Sequence, residues 1–320
     1  MVFDRWTGDS HLLQKPSEWH SKVRTATLNI SLTASYKPAP AWTPTFEQLN
    51  GIQIGHYFPP NAQAVIFHFH GQGGSAQLLF SNLERRIFAN EAVADGYAIV
   101  AIDSADRMNR DWSTSNDMAT SPDIQNVQAA INLFIQRGLI TVTTPVFAHG
   151  FSKGAGFSPR VARALNFKAT SMTGLAGTPD IINITTIPTI WCMPVNDGTI
   201  MVAGVQQSYN NYLNLVGRGV PAQHHKFMPS PVYPERFWRI AGLSQNDSRT
   251  IHAALKQNGI LDGRDFLVQD PDVSGWQSAV PAQYNSFLQG IGEQLRICYA
   301  EHNFFSDYNR RVLDFFAAYR

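Results

Sequence analysis

The chain has 320 residues, 44% hydrophobic and 12% aromatic, which is material for one large core with an insertion, because single cores stop growing near about 250–300 residues. The formal net charge is +1, no basic cluster occurs, and charged residues reach only 15%, so neither nucleic acid nor an anionic membrane is expected as a partner. Two cysteines, Cys192 and Cys298, are too few for a disulfide framework; free buried thiols are expected, with a bridge between them left open.

No run approaches the roughly 18 apolar residues of a membrane-spanning helix, and Met1-Val2-Phe3-Asp4-Arg5-Trp6 lacks an apolar h-region. The expectation is a chain with no signal peptide and no transmembrane segment, cytoplasmic by default, its compartment otherwise open. Alternating segments at 25–32 and 52–57 read as antiparallel lead-in strands around a Pro-rich connection at Pro38, Pro40 and Pro44. Strands are then expected at 64–70, 97–103, 145–151, 169–176, 188–195 and 222–228, alternating with helices at about 76–94, 121–137, 153–166 and 201–217. Such alternation implies a mostly parallel sheet with active residues in the loops at the carboxyl ends of the strands.

The strand at 64–70 opens into Gly71-Gln72-Gly73-Gly74, giving an HGxGG pattern with His70. Attack on an ester carbonyl creates an oxyanion, which each well-aimed backbone N–H stabilises by about 2.7–4 kcal/mol. Glycines let the backbone come that close. Gln72 N–H is assigned as one donor, with His70, Gly71, Gly73 and Gly74 as loop support. After the next strand, the polar run 106–112 forms a candidate pocket edge that includes Trp112.

Gly150-Phe151-Ser152-Lys153-Gly154 stands between an apolar strand and an Ala-, Leu- and Val-bearing helix. GxSxG alone is common by chance. In this setting it reads as a nucleophile elbow, with Ser152 on a strained turn, small residues required at Gly150 and Gly154, and Lys153 N–H as the second oxyanion donor.

With these two motifs in this order, residues from about 60 to 320 resemble the α/β-hydrolase superfamily. The resemblance implies the α/β-hydrolase fold, a mostly parallel central sheet flanked by helices, and a catalytic order of serine, acid, histidine. On that order the acid is Asp197, after the strand at 188–195, preferred over Asp180 after the preceding strand. The base is His302, just before an amphipathic C-terminal helix at 308–319. The other histidines have structural readings: His68 and His70 belong to the oxyanion strand, His149 precedes the elbow, His224 and His225 lie on a strand, and His252 lies on a helix. HGQGG, GFSKG and EHNFFSD together look most like esterases of the polyhydroxyalkanoate-depolymerase, feruloyl-esterase and acetyl-ester-hydrolase kind.

The stretch between Asp197 and His302 is about twice what one helix and one strand need. The surplus, 229–284, is expected to form a cap beside the pocket, on a core of 1–228 and 285–320, with a helix at 248–258 and a loop at 262–276. Its aromatics Tyr233, Phe237, Trp238, Phe266 and Trp276 are candidates to shape an acyl or aryl pocket, although each is more readily a packing residue.

The expected activity is hydrolysis of small to medium acyl or aryl esters through an acyl-enzyme. The alternatives are an acyltransferase or peptidase using the same three residues, and a binding protein on a hydrolase scaffold. No metal or cofactor is expected, since the chain has no HExxH, no zinc-spaced ligands, no phosphate loop and no GxGxxG. The expected partner is a small-molecule ester; the oligomeric state stays open.

Overall fold

The computed structural model describes residues 2–18, 21, 23, 29–38 and 40–320. In chain order its regular elements are β1 (Val2–Gly8), β2 (Leu32–Lys37), β3 (Thr45–Leu49), β4 (Ile52–Tyr57), β5 (Ala64–Phe69), α1 (Leu78–Ser81), α2 (Leu83–Ala94), β6 (Tyr97–Ile102) and α3 (Pro122–Gln136). They continue as β7 (Val146–Phe151), α4 (Lys153–Ala164), β8 (Ala169–Thr173), α5 (Pro179–Ile182), β9 (Thr189–Pro194), α6 (Met201–Gly217), β10 (Ala222–Phe227), α7 (Gln245–Gln257), α8 (Leu288–Tyr299) and α9 (Asn309–Ala317).

The eight-stranded sheet runs β10-β9-β8-β7-β5-β6-β4-β3. Its strands from β10 to β6 pair in parallel, and β4 and β3 add an antiparallel edge. This is the α/β-hydrolase fold. The expected lead-in strand at 25–32 is displaced: β2 begins at Leu32 and pairs antiparallel with β1, while residues 25–28 lie outside the described residues. A further strand, β3, forms in the segment read as a Pro-rich connection. The helix expected at 76–94 is split, because Asn82 is extended (ψ 136°) and caps α2 by accepting from Arg85 N.

Strand periodicity builds the two layers. In β5, Ala64 and Ile66 pack with Phe88 of α2 and Phe316 of α9, while Val65, Phe67 and Phe69 pack with Ile124 and Phe134 of α3 and Phe157 of α4. β5 and β6 are buried throughout, as expected of parallel strands covered on both faces. α3 starts cleanly because Ser121 accepts from Ile124 N and Pro122 occupies its first turn. In α4, Pro159 removes the amide that would bond Ala155 O, and Ser158 Oγ donates to that carbonyl instead at 3.0 Å.

The segment after β10 has its own hydrophobic cluster. Val232, Phe237, Leu243, Ile251, Leu255, Leu261, Trp276 and Tyr284 pack with Ile291, Leu295 and Cys298 of α8, so this packed unit runs past Tyr284 into the helix that leads to His302. α7 is fixed by a capping box, Ser244 accepting from Asp247 N and the Asp247 carboxylate accepting from Ser244 N.

A buried carboxylate ties this unit to the sheet domain. Glu84 of α2 accepts from Arg239 Nη1 (2.9 Å) and Gln294 Nε2 (2.9 Å) on one oxygen, and from Ser306 N (3.0 Å) and Ser306 Oγ (2.6 Å) on the other. Beside it, Arg236 Nη1 lies 3.4 Å from Asp307 Oδ1, both side chains almost fully buried. Burial alone would raise the Glu84 pKa, but Arg239 and Arg236 outweigh it and bring the carboxyl to about 2.

Removing one member of such a pair strands a buried charge and costs about 3–5 kcal/mol. Glu84→Gln is expected to lower the unfolding free energy by that order in urea at pH 7. Because the folded pKa is depressed, the Glu84 contribution is present above the ordinary carboxyl range and lost as pH falls toward about 2. The gap between wild type and Glu84→Gln is therefore expected to close in that window; a constant gap would mean that charge is not the cause.

Candidate active site

Ser152 stands where β7 ends and α4 begins, at φ 53°, ψ −124°. A non-glycine residue there is strained by about 1–3 kcal/mol and is held by its surroundings. Its own amide donates to Thr173 O of β8 at 2.8 Å. Around it the backbones touch: a Cβ on Gly150 would collide with the Gly154 carbonyl, and a Cβ on Gly154 with the Phe69 carbonyl at the end of β5. The two glycines thus bring strand, helix and the start of the glycine-rich loop to one point.

His302 faces this serine, its Nε2 2.9 Å from Ser152 Oγ. Its Nδ1 lies 2.6 Å from Asp197 Oδ2, so the Nδ1–H tautomer donates to the carboxylate and leaves Nε2 to accept the serine hydroxyl. Asp197 is buried, and its other oxygen accepts from Thr199 N and Ile200 N at 3.0 Å each. The loops carrying Asp197 and His302 are tied together, Asn196 N donating to Ala300 O and Asn196 Nδ2 to Tyr299 O. The sequence places these three residues 45 or more positions apart in pairs; the fold joins them in one hydrogen-bonded line.

The glycine loop is braced from several sides. Gly74 N donates to Gly71 O (3.0 Å), and Gly73 exchanges bonds with Arg110, its N–H donating to Arg110 O (3.1 Å) and its carbonyl accepting from Arg110 Nη1 (3.2 Å). Gly73 adopts φ 74°, which favours glycine. His70 Nε2 accepts from Ser104 N, so Nδ1 carries the proton and donates to Gly71 O at 2.7 Å; burial pulls its pKa down to about 4 and keeps it neutral. Neither Gln72 N nor Lys153 N, the first amide of α4, has a protein acceptor among the described residues. The Lys153 ammonium lies 3.3 Å from Asp111.

Asp180, the alternative acid, is elsewhere engaged. Arg160 pairs with it at 2.6 Å, Thr178 and Asn116 add hydrogen bonds, and the guanidinium above all holds its carboxyl well below the usual range. The candidate pocket aromatics also have other partners. Trp112 is buried, stacks on Phe157 and donates Nε1–H to His70 O at 2.7 Å, so it supports the loop from behind. Phe237 and Trp276 are buried in the cluster with α8. Tyr233 and Trp238 line a separate cavity of about 570 Å³ with Phe3, Tyr36, Ile87 and Glu91, which includes no residue of the Ser152–His302–Asp197 line.

Cys192 and Cys298 are both free and buried in different clusters, and burial pushes Cys192 up to about 12. The His68–His149 pair, Nδ1 to Nδ1 at 3.0 Å, lies in the core, where burial keeps both rings neutral.

Sequence reading missed Glu301, next to His302. Burial first, then the Asp270 and Asp272 carboxylates, raise its pKa to about 7. These three acids have an oxygen each within 4.8 Å of one another, but Arg296, at 2.6 Å from Asp272 and 3.8 Å from Glu301, already supplies counter-charge. Only the fold brings the loop carrying Asp270 and Asp272 to Glu301, the residue before His302.

No protein-family model matches the chain, and no curated protein matches it. Among solved structures it is similar to a thermostable esterase, at 14% identity over 57% of this chain, TM-score 0.44, spanning little more than half (54%) of that chain. It is also similar to an esterase of Pyrococcus furiosus (12% identity, 60% of this chain and 88% of that one, TM-score 0.44) and to a ferulic acid esterase (12%, 57% and 89%, TM-score 0.46).

The close approach at the elbow is testable by stability alone. Gly154→Ala is expected to cost at least the roughly 1–3 kcal/mol of an overpacked core, read by urea unfolding. Gly217→Ala, at a helix end with nothing within 4 Å of the added methyl, is expected to be neutral or stabilising. Equal effects would show that space at the elbow is not limiting.

Proposed function

We propose that this chain is a serine hydrolase of carboxylic esters working through an acyl-enzyme. The supporting observation is the unbroken line Ser152 Oγ, His302 Nε2, His302 Nδ1, Asp197 Oδ2, with steps of 2.9 and 2.6 Å. His302 takes the Ser152 proton as Oγ attacks the ester carbonyl. Asp197 holds the imidazole in the Nδ1–H tautomer and stabilises the imidazolium that forms. The Gln72 and Lys153 amides receive the oxyanion at about 2.7–4 kcal/mol each.

Collapse of the tetrahedral intermediate expels the alcohol, which leaves with the proton from His302. Water then enters, gives its proton to His302, attacks the acyl carbon and releases the acid with Ser152 restored. Each group needed for these steps belongs to the chain.

The insertion 229–284 is proposed to border the pocket as a fixed wall. Two observations support this: Asp270 and Asp272 approach Glu301 beside the base, and Arg236 and Arg239 are held by buried carboxylates of the sheet domain. The wall, not the chemistry, would then limit which acyl groups enter.

The test is a panel of 4-nitrophenyl esters of increasing chain length run beside peptide substrates. Hydrolysis of esters with Ser152→Ala inactive is the expected outcome. Asp197→Asn is expected to lower kcat by about 10⁴-fold by imposing the wrong tautomer, while Asp180→Asn has little effect. Full turnover by Ser152→Ala, or peptides cleaved in preference to every ester, would defeat the proposal.

A further inference from the structure

Arg85, on the first turn of α2, is a guanidinium without an anion. The residue is only 9% exposed. Its Nε is enclosed with no hydrogen-bond partner, and no carboxylate among the described residues is within ion-pair distance. Glu293, whose charge it feels, is engaged by Asn82 Nδ2 at 2.7 Å. The terminal nitrogens have no protein acceptor among the described residues either, yet they are not among the enclosed atoms, so they keep some contact with solvent.

Its place is specific. The guanidinium carbon lies 5.2 Å from the ring of Phe151, the residue before Ser152, and 5.3 Å from the ring of Phe304, which closely follows His302. The Phe151 ring in turn lies 5.1 Å from the His302 ring. Two cation–π contacts offset only part of the cost of desolvating a charge. Burial accordingly pulls the Arg85 pKa down to about 10. An arginine left uncompensated one aromatic ring away from His302, with a planar fork that matches a carboxylate in two-point contact, has its natural complement in a ligand.

We propose that Arg85 is a substrate-binding residue that receives a free carboxylate, so that the preferred esters are anionic, carrying that carboxylate on the acyl or the alcohol side. This rests on the ester-hydrolase reading for the word ester but not for the anion site. The site also explains why a positive charge is kept under Phe151 where an apolar side chain would pack at lower cost.

Two matched pairs test it. For the acyl side, the 4-nitrophenyl hemiesters of succinic, glutaric and adipic acid are compared with the 4-nitrophenyl esters of the corresponding monoamides. For the alcohol side, 3-carboxyphenyl butyrate is compared with 3-carbamoylphenyl butyrate. Wild type is expected to favour the anion by about 10- to 100-fold in kcat/KM in one of the two series, the range for a hydrogen-bonded charge pair.

Arg85→Gln is expected to collapse that ratio, and Arg85→Lys, which keeps charge without the fork, to retain part of it. A wild-type ratio near one in both series, or a ratio that Arg85→Gln leaves intact, overturns the proposal even if the esterase reading stands. If wild type cleaves no ester, the function reading fails and calorimetry with glutarate decides the anion site: binding lost in Arg85→Gln supports it, and no binding by wild type overturns it. Should Arg85→Gln not fold, the wild-type ratios and glutarate binding carry the test alone.

Discussion

Everything in the candidate site depends on one steric constraint, the absence of side chains at Gly150 and Gly154. Because those two positions carry no Cβ, β7, α4 and the carbonyl end of β5 meet at van der Waals contact. That contact fixes Ser152 at a positive φ with its amide bonded to β8, and it sets the first amide of α4 beside the glycine loop that leaves β5. Hydroxyl and candidate oxyanion donors therefore share one rigid frame. The strain at Ser152 is small beside the packing energy that over-determines it.

The second structural idea is that His302 is held from outside the sheet. His302 lies on a loop, and loops are soft unless tied. Here the tie is electrostatic: Ser306 and Asp307, just after His302, bond into the same buried charge group as Glu84, Arg236 and Arg239. The insertion is thus joined to the sheet by ions that cannot be exposed cheaply. The neighbouring residue in α2, Arg85, packs on the rings of Phe151 and Phe304, so adjacent positions of one helix carry a paired carboxylate and a guanidinium without an ion pair among the described residues.

The parts of this arrangement that were legible in the sequence are those written in local chemistry. Glycines bracket Ser152 and follow His70 because backbone had to approach backbone, and Pro, Ser and Asn mark helix starts. Asp197 and His302 needed the superfamily order, since neither lies in a local motif that distinguishes it from Asp180 or another histidine. The rest depends on pairings without local signature. Glu84 meets Ser306 across 222 residues, and β1 finds a partner only when β2 returns to it. The β8 strand stops at Thr173 and not at the expected 176 because Gly174 turns to φ 69°. The aromatic insertion residues resemble pocket walls in composition, yet burial sends Phe237 and Trp276 into their own core.

The most direct measurement is covalent labelling with an alkyl fluorophosphonate, followed by peptide mass spectrometry of the modified protein. The account predicts one adduct per chain, on Ser152, slowed greatly when His302 is replaced by alanine, because the hydroxyl is nucleophilic only through that imidazole. An adduct on a different residue, or labelling of Ser152 at an undiminished rate without His302, would contradict it.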